Sequence, residues 1–429
     1  MTISDHYGNR LTTATGMAAD FYDIGLRAFL GANYGAVEAF GQAVDADPEF
    51  TLGHVALARA RMAGGDMAGA RRAMAEAERL AAISPLDDRE RSHVACFSAL
   101  LAGAPATARA AVRAHVLAWP RDALVAQTCT NIFGLIGFSG ETGREANLLA
   151  YTEALLPHYG DDWWMMSMHA LSLCETGQTT ASRRLMDRAM QGNPRNAHGA
   201  HFTAHALYEE GQTAQGRAYL DDWMQGYDRR SGLHGHLNWH AALWALQDGD
   251  VQTMWQLVDS AVGPDSGGHS LPINVLTDTA ALCCRAELAG IAVAPERWAA
   301  LSDYAARYFP QTGQSFVDMH AALAHAMAGQ GDRLAQIAGT SQGFAGDLVG
   351  PVARAWGAMA RQDWQGALAA LVPVMAETER LGGSRAQRDL LELAYVSLLL
   401  RLGQAEAAAR TLAMRRPKLA RPAPVQGLA

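Results

Sequence analysis

No stretch of this 429-residue chain is apolar for the roughly 18 residues that a membrane-crossing helix needs. A basic block is missing as well. Arg and Lys total 35 against 43 Asp and Glu, a formal charge of −8, so the electrostatic footprint of a nucleic-acid binder is not expected. The one basic run, MRRPKLARPAP from Met414 to Pro424, is short, broken by proline, and reads as a frayed tail. The opening residues, MTISDHYGNRLTTATG, lack a basic patch followed by an apolar stretch, which argues against secretion and for a cytoplasmic location. Cysteine is scarce: Cys96, Cys129, Cys174, Cys283 and Cys284 are an odd number with no CxxC pair. Buried free thiols in a reducing compartment are the simplest account, with a catalytic Cys174 the alternative. Alternating β-branched residues are scarce too, so strands are not expected.

What is present is a period. Gly31 to Gly65 is 34 residues, Gly177 to Gly211 is 34, and Gly211 to Gly249 is 38. At offsets 5, 9 and 12 after each glycine stands a packing triplet. It reads Ala36, Phe40, Ala43; Ala70, Met74, Ala77; Ser182, Met186, Ala189; Gly216, Leu220, Trp223; and Met254, Val258, Ala261. A small residue first lets two helices approach, and a large one fills the space between repeats. Pro48 and Pro194 each fall 17 residues past their glycine, where a second helix should stop. A 34-residue helix-turn-helix period is the tetratricopeptide signature.

The fold class expected is therefore all-α: a tetratricopeptide-like α-solenoid of about eleven hairpins in a right-handed superhelix whose ends approach each other. First helices are predicted near 16–30, 50–64, 86–103, 121–138, 161–177, 195–211, 233–249, 271–290, 314–329, 347–362 and 384–402. Residues 1–15 are an N-terminal arm, 16–416 the repeat domain and 417–429 a C-terminal tail. The segments Gly263–Pro272 and Ala338–Asp347 are the irregular connections.

In a tetratricopeptide hairpin the first helix lines the concave groove, at repeat positions 2, 5, 9, 12 and 13, and the turn glycine is position 15. Counting back from Gly211 gives His198, His201, His205, Tyr208 and Glu209. From Gly249 the count gives His236 and Trp239, with His240 adjacent; from Gly177 it gives Trp164, Cys174 and Glu175. Eight of the 15 histidines fall within residues 158–240. Imidazoles from neighbouring helices, packed about 8–10 Å apart, can meet there.

Three chemistries suit such a patch. The imidazoles can form a purely structural hydrogen-bond network. They can ligate a divalent metal through His201, His205, His236 and His240, since HxxxH brings two rings to one ion. Or they can line a pocket for a small organic molecule, with His205 and His240 moving protons, Glu209 orienting them, and His198, His201, Tyr208, His236, Trp239, Trp164 and His320 in contact with the ligand. The third is the principal expectation, so no cofactor is expected; a divalent metal is the alternative. A groove gripping a partner's peptide is the competing role, and self-association is left open.

Several segments resemble the tetratricopeptide repeat protein 38 family. His201-xxx-His205 ahead of Tyr-Glu-Glu-Gly resembles that family's HxxxH segment, with Tyr208 where the family places an acid. HGHLNWHAALWALQDGD resembles its next helix, carrying His236, Trp239 and His240. FVDMHAALAHAMAG and GGSRAQRDLLELA resemble two later segments, carrying Asp318, His320, Gln387, Arg388 and Asp389. The resemblance implies a curved helical solenoid.

Overall fold

The computed structural model describes residues 3–418 and 425–427. Among them 22 α-helices follow one another, with no strand beyond an isolated bridge between Ser4 and Arg10. They run α1 (Gly16–Leu30), α2 (Ala36–Ala46), α3 (Thr51–Ala63), α4 (Met67–Ala81), α5 (Asp88–Leu101), α6 (Pro105–Ala118), α7 (Ala123–Ala126), α8 (Arg144–Tyr159), α9 (Trp163–Glu175), α10 (Thr179–Gly192) and α11 (Ala197–Glu209). The chain continues through α12 (Thr213–Trp223), α13 (His234–Gln247), α14 (Val251–Leu257), α15 (Pro272–Leu288), α16 (Pro295–Tyr308) and α17 (Ser315–Met327). The last five are α18 (Gly331–Thr340), α19 (Gly346–Ala360), α20 (Trp364–Leu371), α21 (Arg385–Arg401) and α22 (Ala405–Arg415). None of these helices is long and apolar enough to cross a membrane.

Successive helices pack as hairpins, α1 on α2, α3 on α4 and α9 on α10 most extensively, with α5 on α6, α13 on α14 and α15 to α22 in the same pairwise order. The packing triplets are what they bury: Phe40, Ala43, Ala70, Ala77, Ala189, Leu220 and Met254 are inaccessible to solvent. Gly216 shows why its position must be small, because a Cβ there would lie 2.3 Å from the Trp244 ring. Turn glycines Gly177 and Gly211 adopt φ of +82° and +67°, a left-handed conformation that costs a residue with a Cβ.

One expected first helix does not form. In place of a helix over 121–138, α7 stops after four residues and passes into a 3-10 turn at Gln127–Cys129, followed by further turns. β-branched Thr128, Thr130 and Ile132 weaken helix propagation here, and two glycines permit a tighter path. A Cβ on Gly137 would lie 1.9 Å from the Ile132 carbonyl oxygen, and one on Gly134 2.7 Å from that of Thr128. Ile132 and Ile136 are still buried, so the apolar spacing is satisfied without a helix. Of the two expected irregular connections, 263–271 contains no helix, whereas the second shrinks to 341–345 because α18 extends to Thr340.

The tail reading also needs correction. Met414 and Arg415 complete α22, and Arg416 is buried. Its guanidinium is held by the carboxylates of Glu209 and Asp389. Residues 419–424 of the basic run lie outside the described residues. Past them Val425 is buried and the Gln426 N–H donates to the Leu288 carbonyl.

The chain divides into two compact units, residues 1–139 with 145–202, and 140–144 with 203–429. In the first, the N-terminal arm is packed down: Tyr7 and Leu11 are buried, and Thr12 and Thr13 bond to Glu90 and Asp47. The second contains α12 to α22. Helix α11 runs from Ala197 to Glu209.

Candidate functional site

Three helices build the site. Along α11, Ala204, Ala206 and Leu207 face packed neighbours, which leaves His201, His205 and Glu209 stacked at i, i+4 spacing on another face. On α13 the same spacing stacks His236 and His240. Helix α15, opened by Pro272 at its first turn, places Asp278 and Arg285 two turns apart on one face.

The histidines converge. The His205 and His240 ring centroids are 4.7 Å apart with their planes at 65°, and those of His236 and His240 are 5.1 Å apart at 81°. His201, one turn before His205, completes the group: a ring nitrogen from each of His201, His205, His236 and His240 lies within 4.8 Å of all the others. His205, His236 and His240 are buried, His201 half-buried. Trp239 stacks on His236 at 5.0 Å, its plane tilted by 16°, and meets His240 edge-on at 4.9 Å.

Burial decides the protonation. It pushes the His205 imidazole down to about 3, with the neighbouring His236 adding to the effect. His240 is held well below its ordinary value, again mainly by burial, with His205, His236 and Arg285 contributing. Both rings are therefore neutral at pH 7, the form in which imidazole ligates metals. Asp278 Oδ2 lies 2.6 Å from His236 Nδ1, an arrangement that places the proton on Nδ1 and fixes the ring's orientation. Burial raises the Asp278 carboxyl above the usual carboxylate range, an effect the His236 pairing partly offsets.

The other expected site residues are placed as follows. His198 stacks on Phe202 at 5.5 Å and is pushed down to about 4 by burial. Glu209 does not orient a histidine: its carboxylate accepts two bonds from Arg416, at 2.8 and 2.9 Å, and one from Arg385 at 3.3 Å. Tyr208 donates to Asp389 at 2.9 Å and accepts from Arg285 at 3.1 Å. His320 bonds to the Phe316 carbonyl of its own helix at 2.7 Å, and the four-imidazole group does not include it. Trp164 belongs to an aromatic cluster of the first unit, 5.5 Å from Tyr159 and 6.4 Å from Tyr7. The five cysteines form no disulfide and are all buried, Cys174 completely.

Two residues that position counting missed matter most: Asp278 and Arg285. Each is a charge set inside the largely apolar run PINVLTDTAALCCRAEL, and a buried charge in such a run demands a partner. That was the available signal.

Helical hairpins in a 34-residue period, with buried small–large–small triplets, define a tetratricopeptide-like helical-repeat protein. No family model matches the chain. Among solved structures it is similar to a human IFIT1 dimer with m7Gppp-AAAA, at 13% identity over 100% of this chain and 96% of that one, TM-score 0.47. It is also similar to the same protein with PPP-AAAA, at 14% identity over 96% and 93%, TM-score 0.46. Yeast Tom70 matches at 13% over 93% and 91%, TM-score 0.34. Similarity at this level says nothing of ligand or activity.

Proposed function

We propose that the chain is a helical-repeat metalloprotein in which His201, His205, His236 and His240 hold one divalent transition-metal ion. The observation that carries this reading is the mutual approach of four ring nitrogens to within 4.8 Å. A tetrahedral ion with metal–nitrogen bonds of about 2.0–2.1 Å keeps its ligand atoms ~3.4 Å apart, so modest ring rotations close the site. An all-imidazole set suits zinc, with copper and nickel as competitors. Asp278 behind His236 supplies the orienting carboxylate that metal-bound histidines usually have.

The same burial weighs against His205 and His240 as proton-transfer groups. An imidazole near 3 is too weak a base for efficient transfer at neutral pH. A bound divalent ion would supply Lewis acidity, and His201, the least buried of the four, is the ligand a substrate would approach. With His205, His236 and His240 each exposed by 3% or less, that substrate is a small organic molecule rather than a peptide strand. Kinship to the tetratricopeptide repeat protein 38 family is part of this reading. It rests on the order of four resembling segments along the chain, two of which carry all four ligands and Trp239.

The test is elemental analysis of tag-free protein after zinc loading and desalting, beside the double variant His205→Ala/His240→Ala. One equivalent in the wild type and none in the variant is expected. No retained metal, or equal retention in both, overturns the reading.

A further inference from the structure

We infer that the four-histidine centre receives an oxyanion, a carboxylate or a phosphate, and that Arg285 is the residue that holds it. The inference rests on the metal reading. Its own observation is the state of Arg285, which is 1% exposed and bonds through Nη1 to Tyr208 and through Nη2 to the Ala386 carbonyl. Its Nε–H has no partner among the described residues. A buried guanidinium donor without a partner is costly, and the fork that carries it is shaped to grip an oxyanion with two parallel bonds.

Its position fits. Arg285 follows Asp278 by seven residues, two turns down the same face of α15, and Asp278 touches His236. Tyr208, which it bonds, lies one turn beyond His205 on α11. Its positive field reaches both His240 and His320, lowering each. A second donor waits beside the rings: Trp239 Nε1–H is buried and has no partner among the described residues.

Charge points the same way. A divalent ion at the four rings would place two positive charges beside the Arg285 guanidinium, with the Asp278 carboxyl behind His236. The charge of Arg285 is not spare for this purpose if it is spent on the acids beyond Tyr208, but there Glu209 and Asp389 are already answered by Arg416 and Arg385. The buried site therefore holds an excess of positive charge, which a bound anion relieves.

The experiment uses the full chain loaded with cobalt(II), whose visible spectrum reports its ligand sphere. Inorganic phosphate, acetate and chloride are titrated separately at constant ionic strength. A saturable spectral change with phosphate or acetate and none with chloride is expected, and whichever oxyanion binds tighter identifies the source chemistry. Arg285→Gln should take up cobalt with affinity within about twofold of wild type yet bind the oxyanion roughly tenfold or more weakly. If that variant does not fold, Arg285→Lys decides, since it keeps the charge and loses the fork: several-fold weaker anion binding supports the inference, equal binding overturns it. Cobalt binding with no oxyanion response in the wild type overturns the inference alone. No cobalt binding overturns the metal reading and this inference with it.

Discussion

His236 and Asp278, 42 residues apart in the chain, meet through a 2.6 Å contact between Nδ1 and Oδ2 in a region closed to solvent. The contact joins α13 to α15 and fixes which imidazole nitrogen points at the other three histidines. Replacing Asp278 by Asn keeps the shape and removes the charge. Metal affinity should then fall roughly 10- to 100-fold while the circular dichroism spectrum is unchanged. Unaltered affinity in a metal-competition titration would show that the carboxylate serves packing alone.

Acid should destabilise the fold through its buried histidines. His205 is lowered to about 3, and His320 and His325 to about 4, all chiefly by burial. Each folded value lies below the ordinary 6.5, so the unfolded chain binds more protons below that pH. Stability is present in full above 6.5 and is lost as pH falls towards 3–4. Asp5 and Asp318, raised to about 6 by burial, work the other way between pH 6 and 4, against five lowered imidazoles once His198 and His240 are included. Thermal melts at pH 7.5 and 5 should show the lower Tm at pH 5. A Tm that holds or rises on acidification contradicts the burial assigned to these rings.

Arg416 tests the correction made to the tail. It is buried between Glu209 and Asp389, and Arg416→Ala leaves both carboxylates without their main counter-charge. The cost should be about 3–5 kcal/mol in urea unfolding. Arg410→Ala, which removes an exposed pair with Glu406, should change nothing measurable. Equal effects from the two variants would return the segment to the status of a frayed end.

Gly216→Ala places a methyl group against the Trp244 ring, where the existing clearance to a Cβ is 2.3 Å. Overpacking of this kind costs about 1–3 kcal/mol. Neutral behaviour in a thermal melt would mean that the helix pair parts without strain and that the small residue is not required.

The scaffold was legible because each repeat announces itself locally. A turn glycine, a small–large–small triplet and a stop proline recur in phase, and ten of the eleven first helices lie where that phase puts them. It failed at 121–138, where the apolar spacing of Ile132 and Ile136 is helical but Gly134 and Gly137 let the backbone close into turns. Position counting also brought His205, His236, Trp239 and His240 together correctly, since it depends only on two turn glycines, Gly211 and Gly249. It could not reach Asp278 or Arg285. Both lie on α15, beyond Gly249, the last turn glycine that a packing triplet follows. Glu209 was misread for a different reason: its partner Arg416 lies 207 residues away, and no periodicity within a repeat encodes such a contact.

The central claim is that four imidazoles enclose one ion. Crystals grown with one equivalent of zinc, with diffraction recorded on both sides of the zinc absorption edge, test it most directly. The account predicts a single anomalous peak about 2.0–2.1 Å from a ring nitrogen of each of His201, His205, His236 and His240, with Asp278 still on Nδ1 of His236. An absence of anomalous density among these rings, with the imidazoles bonded to one another or to ordered water instead, would contradict it.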